Sequence, residues 1–167
     1  MKSQRTTPSQ ENYIEWVYRL SADGPVRVGQ LAEHLGVTRP SATRAIALLT
    51  QKGLVEHEPY GDIRLTQEGT ALGRAIVRRD ECLTKLLVSV LDMSPEEADP
   101  EVHRLEHVLS SDVVGRLEVL VRFALSSEAW VKRLHHRIGQ ACEDTHEEGP
   151  FQPGRTDIHR GITSEKR

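Results

Sequence analysis

Apolar residues recur at helical spacing over most of this chain. From Glu11 onward, Tyr13, Ile14, Val17, Tyr18 and Leu20 keep one face apolar and predict a first helix. Ser21-Ala22-Asp23-Gly24-Pro25 carries turn chemistry that stops it. Val28, Leu31, Ala32 and Leu35 predict a short second helix closed by Gly36. Thr38 is placed to cap a third, with Pro40 in its first turn, where a missing N–H costs little. Ala42, Ala45, Ile46, Leu48 and Leu49 form its apolar stripe as far as Gly53. Residues 54–58 and 63–65 then predict two short strands, joined by the turn sequence Pro59-Tyr60-Gly61-Asp62. Thr66 caps a longer helix running through Leu72, Ile76, Leu83, Leu86 and Leu87 to about residue 91. Ser94 and Glu97 have the spacing of a capping box and open another helical stretch. Further helices are expected at about 102–109, 112–125 and 128–142, with Ser110 or Ser111 and Ser126 or Ser127 as caps. Residues 1–10 read as a polar, mobile arm. Residues 144–167 read as a disordered polar tail with too few apolar positions to fold alone.

Helix, tight turn at Gly36-Val37-Thr38, helix and hairpin is the order of a winged helix-turn-helix. A helix presented N-terminus first can enter the major groove, while the hairpin reaches a neighbouring phosphate or minor-groove edge. Thr38, Arg39, Ser41, Thr43 and Arg44 stand on the first turns of that helix with donors to offer, and Pro40 shares the first turn. Arg39 and Arg44 can each pair with phosphate or with a guanine edge. Arg27 adds to the same basic stretch. The bland alternative is a generic helical hairpin with a solvated basic face. The capped second helix, the glycine-bounded turn and the hairpin together favour DNA binding.

Totals change this picture little. The 167 residues are 37% hydrophobic, 28% charged and 4% aromatic, which suits a globular protein built on aliphatic helix packing. The formal net charge of -3 hides a local asymmetry. Arg27, Arg39, Arg44 and Lys52 face one acid, Glu33, across residues 26–52, whereas Glu96, Glu97, Asp99 and Glu101 gather later. No apolar run approaches transmembrane length and the N-terminus lacks a signal-peptide core, so no membrane partner is expected. Cys82 and Cys142 have no C-x-x-C spacing and suggest a reducing interior; the expected location is cytoplasmic.

The segment His103-Arg104-Leu105-Glu106-His107 carries two imidazoles and a carboxylate at i, i+3 and i+4, which share one helix face. It matches H-x-x-E-H, an inverted zinc-peptidase signature with Glu106 as general base. A peptidase would need a third ligand such as Glu118, and a substrate cleft in a chain whose first half already reads as a DNA-binding unit. The same three residues can instead hold a regulatory metal, or form a solvated polar face. His135, His136, His146 and His159 show no convergent spacing; Cys82, Trp16 and Trp130 read as packing residues.

The block TTPSQENYIEWVY (residues 6–18), the helix-turn-helix, the wing ending LTQEG (65–69) and RLEHVLS (104–110) occur here in one order. That order resembles the diphtheria-toxin-repressor family of metal-dependent transcriptional regulators, and more closely its shorter manganese-transport-regulator branch. The resemblance covers about residues 6–140. It implies a mostly α fold, with a winged helix-turn-helix DNA-binding domain at 1–75 and a helical dimerisation and metal-binding domain at 76–143. It also implies a divalent metal that activates operator binding, and a chain without the C-terminal β-domain of longer members.

Carried over by position, the metal ligands are Asn12 and Glu15, then Asp80, then His103, Glu106 and His107. The manganese branch usually has Asp at the place of Asn12, His at that of Asp80 and a carboxylate at that of His103. The carboxylates Glu15, Asp80 and Glu106 with two imidazoles make an oxygen-rich set suited to Mn(II) or Fe(II), while Zn(II) or Co(II) would also bind. The expected partners are a double-stranded DNA operator and a second copy of the chain, with no small organic substrate and no enzyme activity. Val113, Val114, Leu117, Leu120 and Val121 supply an apolar face for the homodimer.

Overall fold

The computed structural model describes residues 6–58 and 61–147. The residue pair at the tip of the expected hairpin turn, the first five residues of the arm and the tail beyond 147 lie outside them. Helix α1, Pro8–Leu20, begins earlier than its apolar pattern suggests. Thr7 Oγ1 accepts from the Gln10 amide at 3.3 Å while the Gln10 side chain accepts from the Thr7 amide at 3.2 Å. This capping box, with Pro8 at the first position, recruits residues expected in the arm.

Helices α2, Val28–His34, and α3, Arg39–Gln51, follow, joined by a turn in which Gly36 takes φ +61°. Glycine adopts that conformation with the least strain, so the turn favours it there. Leu31 and Ala32 of α2, Ala42, Ile46 and Leu49 of α3, and Ile14 and Val17 of α1 share one core. Each large aliphatic residue buried there contributes about 1.5–3 kcal/mol.

Strands β1, Val55–His57, and β2, Ile63–Leu65, pair antiparallel with Val55 opposite Leu65 and His57 opposite Ile63. Strand β1 is shorter than the 54–58 expected, because Leu54 is taken into the junctions on either side. Its amide donates to Leu49 O and its carbonyl accepts from the Thr66 amide. Val26 bridges to Ile63 and anchors the wing to the loop before α2. Gly69 seats the wing on the next helix: a Cβ there would stand 1.9 Å from the Leu54 carbonyl oxygen.

Helix α4, Gln67–Thr84, continues through a π-helical stretch, Lys85–Val90. It is the spine of both halves. Its first half packs on α1, with Ile76 in the first core and Gly73 against Tyr18. Its second half carries Cys82 and Leu83 into two further clusters. Helix α5, Pro95–Glu106, merges the stretch opened by Ser94 with the helix expected from 102. Ala98 and Val102, one turn apart, bury the same face against Leu83 and Leu87, and this packing carries the helix through Pro100. It stops at Glu106 rather than near 109, and His107 is its C-cap at φ -89°, ψ -14°.

Helix α6, Ser111–Leu125, is capped by Ser110, and α7 spans Glu128–Glu147. Within α6 the expected dimer face divides. Val114 and Val121 are buried with Cys82 and Val90, and Leu117 packs against them. The outward face consists of Val113, Val119, Leu120 and Phe123, the last 72% exposed. Among the described residues no helix is long and apolar enough to cross a membrane.

Candidate metal centre and DNA-binding face

His103 and Glu106 project from the last turn of α5, and His107 leaves from its C-cap in a still right-handed conformation. The backbone therefore keeps all three on one side although the helix has ended. One ligand atom from each residue lies within 4.8 Å of the others. Glu106 Oε1 is the meeting point, 2.9 Å from His103 Nδ1 and 3.3 Å from His107 Nε2. The two rings stand edge to face, 5.1 Å apart.

Glu106 is only 5% exposed. Burial pushes its carboxyl above the usual range; the His107 and His103 rings oppose this, while the nearby Glu15 and Asp80 charges add to it. His107 Nε2 is buried with no hydrogen-bond partner. A buried nitrogen lone pair without a partner is costly, and a cation between it and the carboxylate would remove that cost. Two imidazoles and a carboxylate are also a fitting donor set for a divalent transition metal.

Charges from α1 and α4 surround this trio. Glu11 Oε2 lies 3.7 Å from His107 Nδ1 and 3.5 Å from Arg79 Nη1. Arg79 also donates to the Glu106 carbonyl at 2.5 Å, and Thr6 Oγ1 donates to Glu11 Oε1 at 3.0 Å. Beside them, Arg19 Nε donates to Glu15 Oε1 at 2.8 Å and its Nη2 donates to Asp80 Oδ2 at 2.5 Å. His103, Glu106 and His107 are thus in mutual contact. Glu15 and Asp80 lie within electrostatic range of Glu106 but with their carboxylates engaged by a guanidinium. Asn12 is half-buried on α1, one turn before Glu15.

Three functional neighbours escaped the reading of the sequence. Glu11 and Arg19 each sit four residues from Glu15, a spacing that marks a shared face; Arg79 adjoins Asp80 and carries no comparable signal.

The remaining candidates fall elsewhere. Glu118, the third ligand a peptidase would require, is paired with Arg78. His135 contacts Asp92 and the Ser89 carbonyl. Cys82 is buried, and that burial pushes its thiol pKa up, which keeps it protonated. Trp16 stacks on His34 at 5.0 Å.

The DNA-binding face has a different construction. Arg39, Pro40, Ser41, Thr43 and Arg44 are all exposed on α3, while Ala42, Ile46 and Leu49 hold the opposite side in the core. Thr38 Oγ1 caps the helix by accepting from the Ser41 amide at 3.4 Å and lies 2.9 Å from the Ser41 hydroxyl. Thr43 Oγ1 donates back to the Arg39 carbonyl at 2.9 Å. The Arg39 guanidinium crosses Gly29, where a side chain would meet it at 3.5 Å. Arg27 stands before α2, 3.5 Å from Asp62 at the wing.

Comparison with known proteins bears on both sites. Residues 5–63 match the family described as "Iron dependent repressor, N-terminal DNA binding domain". Residues 66–128 match "Iron dependent repressor, metal binding and dimerisation domain". The HTH-type transcriptional regulator MntR of Lysinibacillus sphaericus is 34% identical over 129 residues, 77% of this chain and 92% of that protein. The MntR of Bacillus subtilis is 33% identical over 130 residues, 77% and 91% respectively.

The chain belongs to the diphtheria-toxin-repressor family, in its manganese-regulator branch.

As a member of that family it is a metal-dependent, DNA-binding transcriptional repressor, and the family is not a class of enzymes. Among solved structures, the manganese regulator SloR aligns with a TM-score of 0.61 at 27% identity, covering 71% of this chain and 55% of that one. A manganese-dependent transcriptional repressor in complex with manganese aligns with a TM-score of 0.61 at 29% identity, covering 68% and 53%. The chain spans just over half the length of those two solved proteins.

Proposed function

We propose that this repressor responds to Mn(II) or Fe(II) and controls genes of metal uptake from the cytoplasm. His103, Glu106 and His107 would hold the ion together with Asp80 of α4, with Asn12 and Glu15 drawn in from the DNA-binding side. What the ion supplies is a double positive charge shared among donors of α1, α4 and α5. The observation that carries this reading is the buried His107 Nε2, which faces Glu106 Oε1 yet has no hydrogen-bond partner. Glu11 of α1 lies against the other nitrogen of the same ring. A carboxylate charge at that distance stabilises positive charge on a ligating imidazole, so ligation at α5 is felt electrostatically at α1.

The ligand positions fall on both halves of the chain, residues 1–75 and 76–143. Ligands from one half alone would not discriminate between arrangements of the two; a ligand shifts an equilibrium only by its differential affinity for the states. Operator DNA is read by α3 through Arg39, Ser41, Thr43 and Arg44, with Thr38 and Pro40 setting its first turn and Arg27 contacting the backbone. The exposed apolar face of α6, with Phe123 its most exposed member, pairs with a second copy of the chain, an arrangement in which paired half-sites multiply specificity.

The test is operator binding measured with Mn(II) and again with chelator, alongside light scattering. Metal-dependent operator affinity in a dimer is expected. Equal affinity in chelator would favour a regulator that uses no metal, and a monomer at micromolar concentration would remove the α6 interface.

A further inference from the structure

Four carboxylates, Glu11, Glu15, Asp80 and Glu106, gather where α1, α4 and α5 meet, and two guanidiniums already lie among them. The two arginines are not equivalent. Arg79 is 16% exposed and bonds the backbone carbonyl of Glu106 as well as facing Glu11, so it belongs to the packing of α4 on α5. Arg19 is 34% exposed and reaches from α1 to α4, holding Glu15 Oε1 with Nε and Asp80 Oδ2 with Nη2. Its fork therefore spans two oxygens that come from different helices and are 65 residues apart in the chain. Those oxygens belong to two of the donors that the proposed metal site must draw in, and a cation is already on them.

We propose that Arg19 is a built-in competitor for the metal: its guanidinium holds Glu15 and Asp80 together in the metal-free protein and must release them when an ion takes those oxygens. The inference rests on the metal-responsive reading above and deepens it. Two consequences follow from charge and geometry. The metal-free protein is spared the repulsion of Glu15 and Asp80 near the buried Glu106. Metal uptake is weakened by the charge-assisted hydrogen bonds it has to break. Partial exposure of Arg19 makes the exchange feasible, since the released guanidinium can turn to water on its flexible stem. The residue thereby sets the metal concentration at which the repressor responds.

The experiment measures Mn(II) affinity by calorimetry for the wild type, Arg19→Leu and Arg19→Lys. It adds the Arg19 Nε–H resonance of the wild-type protein with and without saturating Zn(II). Arg19→Leu is expected to bind Mn(II) about tenfold more tightly or better, the scale on which charged hydrogen bonds act. Arg19→Lys, which keeps the charge but cannot fork between two carboxylates, should fall between. The wild-type resonance should lose its protection from solvent exchange when Zn(II) is bound. Equal or weaker affinity in Arg19→Leu overturns the proposal. So does an Arg19 resonance that zinc leaves unchanged, a readout that does not depend on any variant folding. A wild type that takes up neither ion would instead sink the metal-responsive reading itself.

Discussion

The two functional regions are built in opposite ways. The candidate DNA-binding face is one helix: Arg39, Pro40, Ser41, Thr43 and Arg44 lie within six residues and are exposed. The candidate metal centre is the trio at the end of α5, with a carboxylate that is 5% exposed at its heart and charged side chains of α1 and α4 packed around it. Such a difference suits their tasks. A surface that meets a polyanion needs donors in water, positioned by a rigid element beneath them. A sensor gains from a donor that is poorly satisfied without the ligand, as His107 Nε2 is, and low exposure makes that dissatisfaction felt. The reader is therefore expected to tolerate change one residue at a time, while the sensor should fail as a unit.

The largest effect should come from breaking the sensor. His107→Ala removes the buried Nε2 and the ring that faces Glu11, and should abolish metal-dependent operator binding, a loss of about a hundredfold or more. Calorimetry should show metal binding falling in parallel. Lower pH should push the wild type in the same direction, because an imidazole must be neutral to ligate. Retained metal activation in His107→Ala would dissolve the contrast between the two regions.

An intermediate effect is expected at the reader. Arg44→Ala should cost about 1–3 kcal/mol of operator affinity and relax specificity at one position if Arg44 reads a base. If it touches phosphate alone, affinity should fall evenly across sequences and the salt slope should shrink by about one. In either case metal affinity should stay at the wild-type value. A shift in metal binding on changing Arg44 would mean that the two regions are less separable than their construction suggests.

The smallest effect sharpens the account of Glu106. Its folded pKa is raised, chiefly by burial. The folded state thus binds a proton more readily than the unfolded chain, and the group's contribution is most favourable at acid pH. That contribution declines as pH rises from the ordinary carboxylate value, about 4.3, through the raised folded value. Metal-free Glu106→Gln should accordingly melt at a slightly higher temperature than the wild type at pH 7.5, with the gap closing towards pH 5. The same variant should bind metal poorly. A metal-free Glu106→Gln less stable than the wild type at pH 7.5 would show that its contacts with His103 and His107 outweigh its burial.

Legibility in the sequence followed the same divide. The order of helices, the Thr38 cap and the exposed donors of α3 are local matters of periodicity and capping, and they could be read directly. One misreading was local, a capping box hidden in a polar stretch; the others arose where distant packing intervened. Thr7 and Gln10 close a reciprocal cap that draws the arm into α1. Ala98 and Val102 bury against Leu83 and Leu87 and join two expected segments into one α5. Val114 and Val121 turn inward because Cys82 and Val90 wait on the other side, leaving Phe123 to the outer face. At the metal site, the H-x-x-E-H spacing found the trio on its own, and the family resemblance added Asn12, Glu15 and Asp80. Neither pointed to Glu11, Arg19 or Arg79.

By itself, the sequence determined which faces are apolar, which caps open α3 and α4, which donors stand on α3 and which three residues share the end of α5. These follow from backbone geometry and side-chain chemistry within a few residues. Tertiary structure decided what surrounds those donors. It set Glu11 against His107, Arg79 against the Glu106 carbonyl and Arg19 across Glu15 and Asp80. It also buried Glu106 and left His107 Nε2 without a hydrogen-bond partner. Charge pairing and desolvation depend on groups brought together from α1, α4 and α5, and only the packing of those helices fixes which group meets which.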